Sequence, residues 1–206
     1  AYTPELASGF TKDLEQSWGK LLATMQMQMP SEKAAIHLYP SAELKGLATG
    51  NTKTGHIDEV DGSLHMSIHS ENAGREDYTG NIWLLRSLLG KAKMPQLELG
   101  LSVMATAHWQ KLGWQHWAKR FATGGASLSI AELLDPQIWE HESPYLKECM
   151  SAALVDFLIA KWGTAALMQF YHAPNPTRIL GLQAEYDAHL KQLPEHDIRP
   201  QFLTLP

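Results

Sequence analysis

The stretch GHIDEVDGSLHMSIH, Gly55 to His69, decides the fold class. Asp61 and Gly62 stand between two runs of alternating character, and an Asp-Gly pair suits the positive φ angles of a two-residue hairpin turn. The spacing predicts a β-hairpin with these two residues at its tip. On its second strand Leu64, Met66 and Ile68 share one face, while His65, Ser67 and His69 share the other, because side chains alternate along a strand. Ser70 to Gly74 reads as loop.

Toward the N-terminus, Ser41 to Thr49 reads as a short helix with Ser41 as its cap and Gly50 as its stop. The run Ala34 to Tyr39 is short, apolar and bounded by prolines, and predicts another strand. Between Pro4 and Met29, Leu6, Phe10, Leu14, Trp18, Leu22 and Met25 recur every three or four positions, the period of one buried helical face. From Tyr78 onward the pattern is helical, with breaks near Gly90 to Pro95, Gly113, Gly124 to Gly125 and Pro136. The clearest late helix has Ser143 as cap and Pro144 in its first turn and runs to Gly163, and a last one spans about Thr177 to Leu193. Strands come early and helices late. This order predicts an α+β fold: a small N-terminal sheet or hairpin region with one helix (1–76), then a predominantly helical part (77–206), within a single domain.

The chain has 206 residues, 44% of them apolar, enough for a large core. Its 17 Lys and Arg against 22 Asp and Glu give a formal charge of −5, the wrong sign for phosphate backbones, so nucleic acid is not expected as a partner. No apolar stretch approaches the roughly 20 residues of a membrane span, and a soluble domain is expected. The opening residues carry no basic segment followed by an apolar one, which suits a mature secreted protein or a piece of a longer one. Cys149 is the only cysteine, so an internal disulfide and a thiolate zinc cluster are both excluded, and its neighbours mark it as a core thiol.

Several signatures in the later half resemble gluzincin-type zinc peptidases (peptidase MA-like). Leu84, Leu85, Arg86, Leu88, Leu89 and Gly90 resemble the tail of that family's first active-site helix. Pro95, Leu97, Glu98, Gly100 and Leu101 resemble the second helix, and Ile130 to Leu134 with Asp135 the short helix after it. Ser143 to Tyr145 and Ala152 to Gly163 resemble the later helix that closes the core. The likeness covers roughly Tyr78 to Tyr171. It implies a gluzincin-like helical part, with Glu98 at the position of the third zinc ligand.

Zinc hydrolysis in that family needs two imidazoles four residues apart on one helix face, a glutamate between them and a ligand from a neighbouring helix. This chain has no HExxH. In the register set by Leu84 to Gly90, the five motif positions hold Tyr78, Thr79, Gly80, Asn81 and Ile82, none of them an imidazole or a carboxylate. The resemblance then implies a degenerate, non-catalytic module with Glu98 as a vestigial ligand position and no cofactor. Glu98 is expected to face the Tyr78 to Leu89 helix and to meet Tyr78, Thr79 or Asn81. A blander role is also open, in which Glu98 favours a helix N-terminus by its charge.

A second alignment uses His65 to His69, which keeps the spacing of two histidines but lacks the glutamate. On a strand, residues four apart stand about 13 Å from each other and cannot share one zinc. They could do so only if the segment were helical, and an active metal-dependent peptidase or other hydrolase with an unorthodox site drawn from His65, His69 and Glu98, holding zinc, is kept as the alternative. Another is a carbohydrate-binding module using the aromatic stretch His108, Trp109, Trp114, His116 and Trp117, since aromatic faces stack on sugar rings. Against it stands core packing of the same rings. Glu140, His141 and Glu142 read as solvated charge in a loop, Lys53 and Thr54 lack the glycines of a phosphate loop, and there is no GxSxG elbow. The expected setting is a binding or spacer module of a larger periplasmic or secreted protein, with a protein, peptide or glycan as its partner.

Overall fold

The computed structural model describes residues 4–30, 35–68, 78–106 and 112–196. The fold is α+β, mostly helical with one small sheet. Helix α1 (Pro4–Met25) buries Leu14, Trp18, Leu21, Leu22 and Met25, the face its apolar period predicts. It ends where Gln26 turns to φ 56°, with Gln26 N–H donating to the Ala23 carbonyl and Met27 N–H to that of Leu22. This closure normally uses glycine, because a Cβ is disfavoured in the left-handed region. Gln26→Gly should therefore raise the unfolding free energy by about 0.5–1 kcal/mol. A denaturation midpoint that falls instead would show that the Gln26 side chain stabilises the turn.

Strand β1 (Ile36–Tyr39) leads into α2 (Ala42–Thr49), whose ends match the sequence reading. Ser41 Oγ accepts from Leu44 N–H, and Gly50 closes the helix at φ 72°. Strands β2 (Gly55–Ile57) and β3 (Leu64–Ser67) form the expected hairpin, but its tip is longer than two residues. Ile57 pairs with Leu64, Asp58 N–H donates to the Ser63 carbonyl, and Gly62 N–H donates to the Asp58 carbonyl. Two side chains shape this loop: Asp58 Oδ1 accepts from Val60 N–H at 2.7 Å, and Asp61 Oδ1 accepts from Ser63 N–H at 2.8 Å. Such local turns compete with ladder pairing. Of the two residues expected to have positive φ, only Gly62 does.

The sheet order is β1-β3-β2, with β1 parallel and β2 antiparallel to the central strand. Leu64 and Met66 are buried in the main core, with Ile36, Leu38 and Ile57 packed against it. Each fully buried aliphatic side chain contributes about 1.5–3 kcal/mol.

The helical part follows as α3 (Thr79–Leu89), α4 (Pro95–Ala105), α5 (Trp114–Thr123), α6 (Ile130–Leu134), α7 (Pro136–His141), α8 (Pro144–Trp162), α9 (Thr164–His172), α10 (Pro176–Leu180) and α11 (Gln183–Gln192). Helix α8 is the central one, buried from Leu146 to Leu158 on most sides and packed chiefly on α4 and α5. Ser143 precedes it but makes no side-chain cap bond. Helix α6 carries a full capping box, with Ser129 and Glu132 bonding each other's backbone N–H. Those bonds from Ser129 hold the Glu132 carboxyl below its ordinary value. The single last helix read from Thr177 to Leu193 is two helices, broken at Gly181 and Leu182. Glu140 and His141 lie in the last turn of α7, not in a loop.

Helix α1 rests directly on α3. Trp18 Nε1 donates to the Gly80 carbonyl at 3.0 Å, and a Cβ on Gly80 would stand 2.3 Å from Leu14 Cδ1. Trp18 also stacks on Trp83, whose Nε1 donates to the Gly62 carbonyl and so ties the hairpin tip to α3.

Candidate functional site

Helices α3 and α4 run antiparallel, joined through Gly90 to Met94. This geometry decides which residues can meet: the end of α3 lies beside the start of α4. Glu98, in the first turn of α4, is buried on the side facing α3, as expected. Its partner is Arg86. Arg86 Nε donates to Glu98 Oε1 at 2.9 Å and Nη2 donates to Oε2 at 2.7 Å, a two-pronged pair, with Ala92 N–H at 3.5 Å from Oε1. The bonds from Glu98 push the Arg86 guanidinium pKa further up. Burial pushes the nearby Tyr171 phenol up as well, helped by the Glu98 charge, and its hydroxyl donates to the Gly90 carbonyl.

Of the residues expected to meet Glu98, Tyr78 and Asn81 make their bonds elsewhere. Those residues lie at the opposite end of the helix pair. Asn81 Nδ2 donates to the Ser102 carbonyl at 2.9 Å, one turn beyond Glu98 on α4, and approaches Thr106 Oγ1 at 3.4 Å. Tyr78 Oη donates to Glu148 of α8 at 2.9 Å. Gly80 is pressed under Leu14, and Ile82 is half-buried. A zinc ion does not fit this donor set: both oxygens of Glu98 are taken by a guanidinium, Glu148 is bonded by Tyr78 at the other end of the helix pair, and among the described residues no three metal-ligating side chains come together.

The other candidates scatter. His65 sits on β3, as the strand reading requires, and His69 lies outside the described residues. Both ring nitrogens of His65 are engaged, Nδ1 with Tyr39 Oη and Nε2 with Ser63 Oγ, each at 2.8 Å. It is thus bonded into a neighbourhood separate from that of Glu98. His108 and Trp109 also lie outside the described residues. Trp114 is buried in the core, and Trp117 is half-buried with its indole N–H inaccessible, edge-on to the buried His116. Trp114 and Trp117 serve packing and offer no exposed flat platform. Burial pushes the His116 imidazole below its ordinary value. Cys149 is buried, and burial pushes its thiol up, so it stays an inert core group.

The residues that the sequence reading missed are His37 and His56. Strand pairing sets His37 and His56 on either side of His65, one from each strand. The three rings stack, His37 on His65 at 4.6 Å between centroids and His56 on His65 at 4.9 Å, with planes 19° and 18° apart. The signal was present as a histidine in each predicted strand, but the register joining them was not. Stacked rings direct their nitrogen lone pairs side by side, so this row does not converge on a metal; no group of three or more metal-ligating side chains converges among the described residues. No helix among them is long and apolar enough to cross a membrane. Comparison with protein-family models, curated proteins and solved structures found no match for this chain.

Proposed function

We propose that the chain is a degenerate zinc-peptidase-like domain that does not hydrolyse, and that it serves as a binding or spacer module of a larger extracytoplasmic protein. The observation that carries this reading is the Arg86–Glu98 pair. The carboxylate that the family resemblance would give to zinc instead neutralises a cation, and among the described residues no group of three or more metal-ligating side chains forms around it. The antiparallel α3 and α4, the short α6 and the central α8 occupy the stretches on which the gluzincin likeness was read. Its partner is a protein, peptide or glycan.

Zinc titration with elemental analysis tests the reading. The purified chain should take up no stoichiometric zinc, and Glu98→Gln should leave that result unchanged. About one zinc per chain, lost on Glu98→Gln or on His65→Ala, would refute the degenerate reading and restore the metal-dependent hydrolase.

A further inference from the structure

The row His37–His65–His56 spans the whole width of the sheet, on the face turned away from the core residues Leu64 and Met66. The sheet it crosses is small, with strands of four, three and four residues. So short a ladder depends on what its side chains do across strands. Neutral imidazoles can stack at these distances, whereas charged ones repel.

We propose that this row is an acid-sensitive latch, holding β1 and β2 against β3 while its rings are neutral and letting the sheet open when they are charged. The latch is independent of the peptidase likeness, since none of its residues belongs to the stretches that carry it.

The surroundings of the row support this direction. From α2, the fully buried Lys45, its Nζ donating to the Asn51 carbonyl, adds positive charge near both His56 and His65. Lys53, before β2, adds more near His56. Asp58 and Asp61 in the hairpin loop pull the other way, Asp58 on both rings and Asp61 on His65. Tyr39 from β1 and Ser63 from the loop are hydroxyl partners that bond either protonation state of His65, so they do not oppose a proton. The balance still disfavours charge: burial first, then Lys45 for His56 and His37 for His65, hold both imidazoles below the ordinary value of 6.5.

The linkage has a definite sign. A histidine that titrates lower in the fold than in the open chain binds fewer protons when folded. Its contribution is complete above the ordinary histidine range and is lost as pH falls through the lower, folded values. The sheet should therefore open on acidification while α4 and α8, which pack on each other, stay closed.

Amide hydrogen exchange of the full chain at pH 7.5 and 5.0, corrected for the intrinsic rate at each pH, tests the latch. The reporters are the amides of Leu64, Ser67 and Ile68, which donate to the Ala35, Thr54 and Tyr39 carbonyls. Their protection should drop about tenfold or more in acid, while amides in the middle of α8 keep theirs. His56→Phe, which keeps a ring but removes a charge, should reduce the pH contrast. Equal sheet protection at both pH values would overturn the proposal, as would a loss in α8 that keeps step with the sheet. If His56→Phe does not fold, the unmodified chain at the two pH values still decides.

Discussion

Gly100→Val should lower the unfolding free energy by about 3 kcal/mol or more, at the upper end of what overpacking a core costs. Gly100 sits where α4 crosses α8, and the two backbones nearly touch there. A Cβ at this position would stand 2.3 Å from the Ser151 carbonyl oxygen and 2.6 Å from Val155 Cγ2. The first of these is backbone inside a buried helix and cannot swing aside. Alanine gains about 1 kcal/mol of helix propensity over glycine, so Gly100→Ala isolates the steric term and should still destabilise. Gly19, on the exposed side of α1 with nothing within 4 Å of its missing Cβ, is the control. Gly19→Ala should gain about 0.5–1 kcal/mol. Urea midpoints measured at unchanged slope decide the matter; a gain at both glycines would mean that α4 and α8 do not approach so closely.

The second large effect is expected at the Arg86–Glu98 pair, and it should be asymmetric. The Glu98 side chain is 7% exposed and that of Arg86 32%. Arg86→Leu strands a buried carboxylate that keeps the Ala92 N–H at 3.5 Å and the neighbouring Tyr171 phenol, and should cost about 2–3 kcal/mol. Glu98→Gln leaves a guanidinium that can turn toward water, and should cost about 1 kcal/mol. Arg86→Leu combined with Glu98→Leu should be more stable than Arg86→Leu alone, because no buried charge remains unpaired. Equal losses for the two single variants would mean that Glu98 has another route to solvent or to a second partner. The same comparison bears on function: a structural carboxylate behaves this way, and a ligand kept for metal does not.

Much of the local architecture could be read from the chain because its causes are local. The period of Leu14, Trp18, Leu22 and Met25 gives one buried face to α1, and Ser41 and Gly50 bound α2 by satisfying the ends of its own hydrogen-bond ladder. The alternation from Leu64 to Ser67 predicts a strand at His65 and counts against a zinc helix there. None of these depends on a distant residue.

What lay beyond the sequence was pairing. A two-residue turn at Asp61 and Gly62 would set Val60 opposite Ser63 and Asp58 opposite His65. Instead Val60 is 96% exposed in a longer loop, and His56 faces His65. The Asp58 side-chain turn, the Trp83 bond to Gly62 and the burial of Leu64 and Met66 act together there, and two of the three come from outside the hairpin. The parallel partner β1, which supplies His37, is likewise a tertiary choice. Arg86 opposite Glu98, with Asn81 opposite Ser102, follows from the antiparallel stagger of α3 and α4. Periodicity, caps and turn residues determine which face of each element is apolar. Register between elements depends on how those faces fill a shared core, so only the tertiary structure could decide that three histidines meet and that Glu98 pairs with an arginine.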